Sequence, residues 1–272
     1  MNIHLLIIDP QNDFMDIDGA TLQVPGANED MIRLASMIDR VGPKLEDIHV
    51  TMDSHRFVDV GHPIYWKNSD GNRPSEYIEI SADDIENSIW TPRNPAWRQD
   101  QLESAKRREA EGNKKKNMVW PVHCLIGTHG WCVQETLMKA LLAWEENEFA
   151  NVDYVTKGSY PHREHYGAFM AEDPDPREPT TSLNSSVLNV LVAADIVAVA
   201  GEALSHCVME TVNQAADNIG NEHIKKFHIL TDCSSPVAAV PGGPDFPAIA
   251  KKWLKEMESR GMTLTSSEEF LA

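Results

Sequence analysis

The chain has 272 residues, of which 42% are hydrophobic, and carries a formal net charge of −18 from 24 basic and 42 acidic side chains. This charge argues against a nucleic-acid or anionic-membrane partner, because both need a broad basic surface. No stretch of the sequence approaches the ~20 apolar residues that span a bilayer, and the length allows one large domain or two small ones.

Taken in chain order, predicted strands and helices alternate. The predicted strands are continuous apolar runs, typical of strands covered on both faces, at 4–9, 48–53, 152–157, 195–202 and 227–232. The predicted helices carry apolar residues at helical spacing and lie at 28–41, 131–148, 182–194, 206–219 and 246–261. This alternation predicts a three-layer α/β/α fold with a mainly parallel central sheet.

A long polar region at 56–118 interrupts this alternation. It contains several prolines and aromatic side chains, and the aromatics predict an ordered excursion packed on the body rather than a disordered loop. We interpret the region as an insertion within a single domain spanning 1–272. The lysine run at 114–116 is interpreted as a solvated loop.

The cysteines and the first residues of the sequence bear on location. The four cysteines are scattered, with no CxxC pair, which favours free thiols. The opening apolar run MNIHLLIID is too short for a signal peptide and leads directly into a predicted strand. We therefore expect a cytoplasmic protein.

Polar side chains follow four of the predicted strands at their carboxyl ends, where open parallel sheets bind ligands. They are Asp9, Asp53 with His55, Lys157 and, after the fourth strand, Cys207. A thiol at a helix N-terminus near a lysine is expected to have a pKa below its ordinary value of about 8.5, because both features favour the thiolate. We therefore interpret Cys207 as a nucleophile.

These residues belong to motifs that resemble those of the isochorismatase-like cysteine hydrolases. Within that superfamily the nicotinamidase/pyrazinamidase group is the best match. The motifs are DPQNDF at 9–14, DSH at 53–55, WPVHC at 120–124, KG at 157–158 and the segment 201–208 before and after the cysteine. They occur in the order of the family and span most of the chain apart from the insertion and the last helix.

The resemblance implies a catalytic triad of Asp9, Lys157 and Cys207. In that scheme Cys207 attacks an amide carbonyl to form a thioester, while Asp9 carries the thiol proton to the leaving ammonia. The backbone N–H groups of Ala203 and Cys207 would form the oxyanion hole, beside a cis peptide bond between Glu202 and Ala203.

The resemblance also implies a divalent metal ion bound by Asp53, His55 and His123. One carboxylate and two imidazoles suit Zn²⁺, with Mn²⁺ or Fe²⁺ as alternatives, and His62 is a candidate fourth ligand. In the family the metal holds the pyridine nitrogen of the substrate.

The implied activity is metal-assisted hydrolysis of nicotinamide, or a similar small amide, to the acid and ammonia. Phe14 and Trp120 would flank the substrate ring, and a homo-oligomer is expected because such assemblies are common for this architecture. Three alternatives stay open. They are a related cysteine hydrolase acting on a carbamoyl or ureido compound, a metal hydrolase with a structural Cys207, and a non-catalytic binding member of the fold.

Two further expectations concern residues near the nucleophile. Glu202 would lie beside the oxyanion hole, and a buried carboxylate there is costly unless a neighbour pairs with it. His162 and His165 follow Lys157 and either line the entrance or lie on the surface.

Overall fold

The structure is a computed structural model that describes residues 1–110, 116–240 and 242–272. Residues 114 and 115 of the lysine run interpreted as a solvated loop lie outside the described residues. Within the described ranges, every helix is too short or too polar to cross a membrane.

The strands and helices alternate as the apolar pattern predicts, with additional short elements in the excursion. The strands are β1 (Ile3–Ile8), β2 (Asp47–Asp53), β3 (Trp66–Lys67), β4 (Glu79–Ile80), β5 (Thr91–Pro92), β6 (Asn117–Met118), β7 (Asp153–Lys157), β8 (Ile196–Gly201), β9 (Phe227–Leu230) and β10 (Thr263–Thr265). The helices are α1 (Ala27–Val41), α2 (Ala82–Glu86), α3 (Arg98–Arg108), α4 (Glu135–Glu148), α5 (Ser185–Ala193), α6 (Met209–Asn218), α7 (Asn221–Ile224) and α8 (Phe246–Ser259).

The central sheet has six strands in the order β10-β9-β8-β1-β2-β7, and all of its pairings are parallel. From β1 the chain builds outward through β2 to β7, then crosses back to β8 on the other side of β1. The strand order therefore reverses between β1 and β8, and a crevice opens at that point beyond the carboxyl ends of the strands. The predicted parallel α/β/α fold is confirmed.

Alternate side chains of β1 enter two apolar cores, one on each face of the sheet. Ile3, Leu5 and Ile7 pack in the core that contains α1 and α4. Leu6 and Ile8 pack in the core that contains α5, α6 and α8. A strand buried on both faces explains why its sequence is apolar at every position except His4, rather than at every second one.

The excursion at 56–118 contains a small apolar core of its own. Tyr65 and Trp66 are fully buried and pack with Leu102 of α3 and Ile80 of β4. Short antiparallel pairs, β3 with β5 and β4 with β6, frame this core. Its apolar residues are distributed over several two- to eleven-residue elements, which is why no helical or strand period was visible in the sequence.

Ion pairs attach the excursion to the segment that follows β7. The Arg163 guanidinium donates to both carboxylate oxygens of Asp100, at 2.7 and 3.0 Å. Arg107 makes the same two-pronged contact with Asp173, at 2.7 and 2.8 Å. Such paired geometry orients both partners as well as attracting them, so the excursion lies against the body close to the crevice.

Candidate active site

The segment after β8 approaches β1 closely and turns sharply. Gly201 has φ +118°, and a Cβ placed on it would lie 2.0 Å from the carbonyl oxygen of Ile8. The Glu202–Ala203 peptide bond is cis, as the resemblance implies. The chain then forms a single π-helical turn, Leu204–Val208, before α6 begins. Cys207 lies in this turn, two residues before α6, rather than in the α-helix that was predicted to begin there.

Three residues from three different strand ends meet beneath this turn. The Lys157 Nζ lies 3.0 Å from Asp9 Oδ2 and 3.7 Å from Cys207 Sγ. The Asp9 carboxyl group is close enough to the Cys207 thiol to raise its pKa. Asp9 and Lys157 are buried, and of the three only Cys207 faces the open crevice. The acid, amine and thiol predicted from the sequence are therefore in mutual contact.

The electrostatics of this group differ from the expectation for Cys207. Burial raises the pKa of the Cys207 thiol well above its ordinary value, and this outweighs the opposing effect of Lys157. The predicted lowering of the cysteine pKa is thus wrong. The helix end and the lysine were visible in the sequence, but the burial of the thiol, which disfavours the thiolate, was not. Burial likewise raises the pKa of Asp9 despite Lys157, which makes Asp9 a stronger base once it is ionised.

Lys157 also joins this group to a neighbouring cluster of metal-binding residue types. Its Nζ lies 3.2 Å from Asp53 Oδ1 and donates to the main-chain oxygen of His165 at 2.9 Å. Burial alone lowers the pKa of Lys157, but Asp53 and Asp9 raise it well above its ordinary value. The amine is therefore a fixed cation held between two carboxylates.

Asp53, His55 and His123 offer donor atoms that all lie within 4.8 Å of one another. The Nε2 atoms of His55 and His123 lie 3.0 and 3.4 Å from Asp53 Oδ2. The other ring nitrogen of each histidine faces an oxygen: His55 Nδ1 is 3.3 Å from Asp59 Oδ2, and His123 Nδ1 is 2.8 Å from the carbonyl of Pro121. Both imidazoles thus direct Nε2 toward a common point. An oxygen that faces the other ring nitrogen in this way usually orients a metal-binding histidine.

His62 lies close to this cluster. Its ring centre is 5.0 Å from that of His55 and 5.4 Å from that of His123. The backbone N–H of His123 approaches His62 Nε2 at 3.5 Å. Burial lowers the pKa of His62 to about 2, so its ring is neutral. His62 is therefore adjacent to Asp53, His55 and His123 but does not belong to the group whose donor atoms lie within 4.8 Å of one another.

Several residues that the sequence did not identify hold these groups in position. Thr51 donates its hydroxyl to Asp9 Oδ1 at 2.6 Å. The Gln11 side chain pairs with the backbone of Asp53 through bonds of 2.7 and 2.8 Å, and Asp13 accepts the N–H of Cys124 at 2.7 Å. For Thr51, the sequence did carry one indication: strand alternation puts its side chain on the same face of β2 as Asp53.

A crevice lies above Cys207, beyond the carboxyl ends of the strands. Phe14 and Trp120, the two residues predicted to flank a substrate ring, are among the residues that line it. Cys207, Asp53, His55 and His123 also line the crevice. The remaining lining residues are Leu22, Val24, Glu164, His165, Tyr166, Ala203, His206 and Val237. The accessible surface of the walls is thus mainly apolar.

Glu164 and the two histidines after Lys157 have different positions. Glu164 lines the crevice and was missed in the sequence, and burial raises its pKa to about 7. His165 also lines the crevice, and burial and the nearby Lys157 lower its pKa to about 3, so it is neutral. His162 instead packs against Trp97 and accepts or donates a 2.8 Å hydrogen bond with the Tyr65 hydroxyl, away from the crevice.

The backbone around Cys207 restricts which amides can face a ligand. The N–H groups of Leu204, His206 and Val208 donate to carbonyl oxygens of the protein at 2.8–3.2 Å. Ala203 and Cys207 both line the crevice. The predicted oxyanion-hole residues are therefore positioned at the crevice wall, next to the thiol.

Glu202 is fully buried, and its side chain does not line the crevice. Its Oε2 accepts the N–H of Ser235 at 3.2 Å, and the carboxyl group of Asp30 is close enough to raise the pKa of Glu202. Asp30 in turn forms an ion pair with Arg33. Burial and Asp30 raise the pKa of Glu202 well above its ordinary value, so Glu202 keeps its proton in the folded protein.

We expect Glu202→Gln to change the pH dependence of stability. The folded protein retains a proton at Glu202 that the unfolded chain releases above its ordinary pKa of 4.5. The free energy of unfolding of the wild type should therefore fall as the pH rises above that value, by at most about 1.4 kcal/mol per pH unit for one proton. The variant has no such proton and should lose less, as measured by urea unfolding between about pH 5 and pH 8.

The matched control for this test is Glu29→Gln. Glu29 is exposed on the same helix as Asp30, so the substitution removes a charge without removing a buried proton. A Glu202→Gln protein with the same pH slope as the wild type and the control would contradict the assigned protonation.

Comparison with known proteins establishes the fold. No family model matches the chain. A nicotinamidase from Saccharomyces cerevisiae is 23% identical over 266 residues, covering 96% of this chain and 97% of the relative. The structure of the yeast nicotinamidase bound to the inhibitor nicotinaldehyde superimposes with a TM-score of 0.64 at 20% identity, covering 97% of this chain and 99% of that one.

Two further structures extend the likeness. A pyrazinamidase of Pyrococcus horikoshii in complex with zinc has a TM-score of 0.55 at 18% identity, covering 98% and 99% of the two chains. An isochorismatase family protein from Desulfovibrio vulgaris has a TM-score of 0.53 at 17% identity, covering 99% and 96%. These comparisons confirm the resemblance drawn from the motifs, and the likeness extends over nearly the whole chain.

Proposed function

We propose that this chain, which has the fold of the isochorismatase-like hydrolases, is a cysteine amidohydrolase that converts nicotinamide or a closely similar small amide to the acid and ammonia. The observation that carries the proposal is the contact of Cys207, Asp9 and Lys157 at the base of a crevice that also contains Asp53, His55 and His123. Amide hydrolysis needs a nucleophile, a base to take its proton and an acid to return that proton to the leaving nitrogen.

In the first half of the reaction Asp9 removes the Cys207 proton as the sulfur attacks the amide carbon. The resting thiol is protonated because it is buried, so the proton transfer to Asp9 must accompany the attack. Lys157, held at 3.0 Å from Asp9, keeps the carboxylate oriented and stabilises the negative charge that develops near the sulfur. Asp9 then protonates the departing ammonia, and a thioester remains on Cys207.

In the second half a water molecule hydrolyses the thioester. Asp9, ionised again, accepts a proton from the water as its oxygen attacks the thioester carbon. The C–S bond breaks, the sulfur regains a proton and the acid is released. The N–H groups of Ala203 and Cys207 would stabilise the oxyanion in both halves, because the neighbouring amides are already engaged.

Asp53, His55 and His123 would hold a divalent metal ion, and Zn²⁺ is the ion we propose. The donor set of one carboxylate and two imidazole Nε2 atoms fits it, as does the support given to each ring by Asp59 and by the carbonyl of Pro121. When bound, the ion supplies a Lewis acid for a ring nitrogen of the substrate. The zinc complex of the Pyrococcus pyrazinamidase supports this assignment.

The same proposal includes a cytoplasmic homo-oligomer built from single-domain chains. All four cysteines are free, which suits a reducing compartment. Large apolar side chains are exposed near the β7 edge of the sheet, including Leu142, Tyr154 and Phe149, the last with 99% of its surface accessible. Grouped exposed apolar residues of this kind often mark contacts between subunits.

The proposed activity is tested by ammonia release from a panel of amides. We expect turnover of nicotinamide and pyrazinamide, and at least about 100-fold lower kcat/KM for benzamide, which has the same shape but lacks the ring nitrogen. The panel should include an N-carbamoyl and a ureido compound.

The alternatives predict different outcomes of the same panel. Preferential turnover of the carbamoyl or ureido compound would assign the chain to a related cysteine hydrolase. No ammonia from any compound, together with ordinary alkylation kinetics at Cys207, would indicate a binding protein. Equal rates for nicotinamide and benzamide would contradict recognition of the ring nitrogen while leaving amide hydrolysis in place.

A further inference from the structure

We infer that the chain has a second divalent-cation site, formed by His4, Asp47 and His49 at the opposite end of the sheet from the crevice. Donor atoms of these three residues lie within 4.8 Å of one another. Asp47, His49 and Asp53 share one face of β2, and Asp47 is roughly 20 Å from Asp53 along the strand, since each residue advances about 3.3 Å. The inferred site is therefore independent of the candidate active site.

The central feature is a close contact between two buried imidazoles. His4 Nδ1 and His49 Nε2 are 2.9 Å apart, and both residues have less than 5% of their surface exposed. Two nitrogens at this distance must share a positive particle, either a proton or a metal ion, because two lone pairs repel each other.

The other ring nitrogens decide where the lone pairs are. His49 Nδ1 lies 2.9 Å from Asp153 Oδ2, so this nitrogen is positioned to donate a ring hydrogen to the carboxylate. His4 Nε2 lies 2.8 Å from the amide oxygen of Asn2, which is also an acceptor. With Nδ1 of His49 and Nε2 of His4 engaged in this way, His4 Nδ1 and His49 Nε2 are the nitrogens left to bind a cation between the two rings.

The arrangement repeats the support seen at the candidate active site. There, Asp59 faces Nδ1 of His55 and leaves Nε2 toward the common point. Here, Asp153 faces Nδ1 of His49 and leaves Nε2 toward His4. A carboxylate behind a histidine fixes the tautomer and makes the opposite nitrogen a better metal ligand.

Asp47 distinguishes a metal ion from a bridging proton. Its Oδ2 lies 3.8 Å from His49 Nε2, while its Oδ1 accepts the N–H of Ile48 at 2.9 Å and so fixes the carboxylate orientation. A proton between two nitrogens needs no third donor, whereas Zn²⁺ takes imidazole and carboxylate ligands at about 2.0–2.2 Å in a tetrahedral set. The Asp47 side chain is 35% exposed, which leaves a route for the ion and a place for a water ligand.

An ion bound here would join three strands at the amino ends of the sheet. His4 lies on β1, Asp47 and His49 lie on β2, and Asp153 begins β7. The chemical class of the ligand is a borderline divalent cation that accepts two nitrogens and one oxygen, for which Zn²⁺ is the natural probe.

The test measures zinc per chain in protein without a histidine tag, after chelation and dialysis against buffered Zn²⁺. We expect about two equivalents for the wild type and about one for His49→Asn. Asp47→Asn is the second variant, in case His49→Asn does not fold. The Asp47 side chain is partly exposed and does not pack in an apolar core, so we expect this variant to fold. It should weaken zinc binding at this site more than 10-fold while ammonia release from nicotinamide stays at the wild-type rate.

Two further variants separate this inference from the proposed function. His123→Ala should remove the equivalent at the candidate active site and leave the one at His4, Asp47 and His49. His228→Asn, on β9 in the other half of the sheet, should change neither. Equal zinc content and affinity in the wild type, His49→Asn and Asp47→Asn proteins would overturn the inference and assign the His4–His49 contact to a shared proton.

Discussion

Cys207→Ala is expected to lower kcat for nicotinamide by about 10⁴-fold or more, because the substitution removes the atom that forms the thioester. The thiol is buried next to Asp9 and Lys157, and no other sulfur lines the crevice among the residues that the structure describes. The rate of ammonia release under saturating nicotinamide measures the effect. Mass spectrometry after brief exposure of the wild type to nicotinamide or its nitrile analogue should detect an adduct on Cys207 that the variant lacks.

Cys233→Ala is the matched control for this substitution. Cys233 is buried three residues beyond the end of β9 and does not line the crevice, so its truncation removes a comparable thiol from the interior without touching the reacting groups. We expect it to retain near-wild-type kcat. Turnover by a folded Cys207→Ala protein would instead support the alternative in which a metal-bound water is the nucleophile and the cysteine is structural.

Gly201→Ala is expected to lower the free energy of unfolding by about 4 kcal/mol or more. A Cβ at this position would lie 2.0 Å from the oxygen and 2.5 Å from the nitrogen of Ile8, and both are backbone atoms of the central strand β1 that cannot move aside. The φ of +118° adds backbone strain for any residue with a side chain. The midpoint and slope of urea unfolding measure the loss.

Gly127→Ala separates the two contributions to this loss. Gly127 has φ +86°, and a Cβ there would meet nothing within 4 Å, so the substitution adds strain without a clash. We expect it to cost only about 1–2 kcal/mol. Similar losses for the two variants would mean that β1 and β8 can separate at this point, which would contradict the tight junction that holds the Cys207 turn against Asp9.

The central architecture was predictable because the strands of a covered parallel sheet are largely apolar runs without a strict alternation. Five predicted strands correspond to β1, β2, β7, β8 and β9 within one or two residues at each end. The short β10 was not predicted, since three residues with mixed exposure have no detectable period. The candidate site followed from the same pattern, because residues directly after parallel strands reach the same edge of a sheet.

The excursion and the supporting residues were not predictable in this way. The core around Tyr65 and Trp66 is assembled from short elements whose apolar residues meet only after the chain has folded. Thr51, which orients Asp9, and Glu164, which lines the crevice, are ordinary strand and loop residues until their neighbours are known. Their roles depend on contacts across about 40 or more positions in the chain.

The sequence by itself determined which groups lie at the sheet edge, because strand length and the position of each polar residue are local properties of the chain. Only the tertiary structure decided their charge states and partners. It raised the pKa of Cys207 where the sequence predicted a lowering, placed Glu202 close to Asp30, and brought His4 and His49 together at the far end of the sheet. The reason is physical: desolvation and through-space hydrogen bonds depend on which segments exclude water from each other, and that is set by packing between residues distant in sequence.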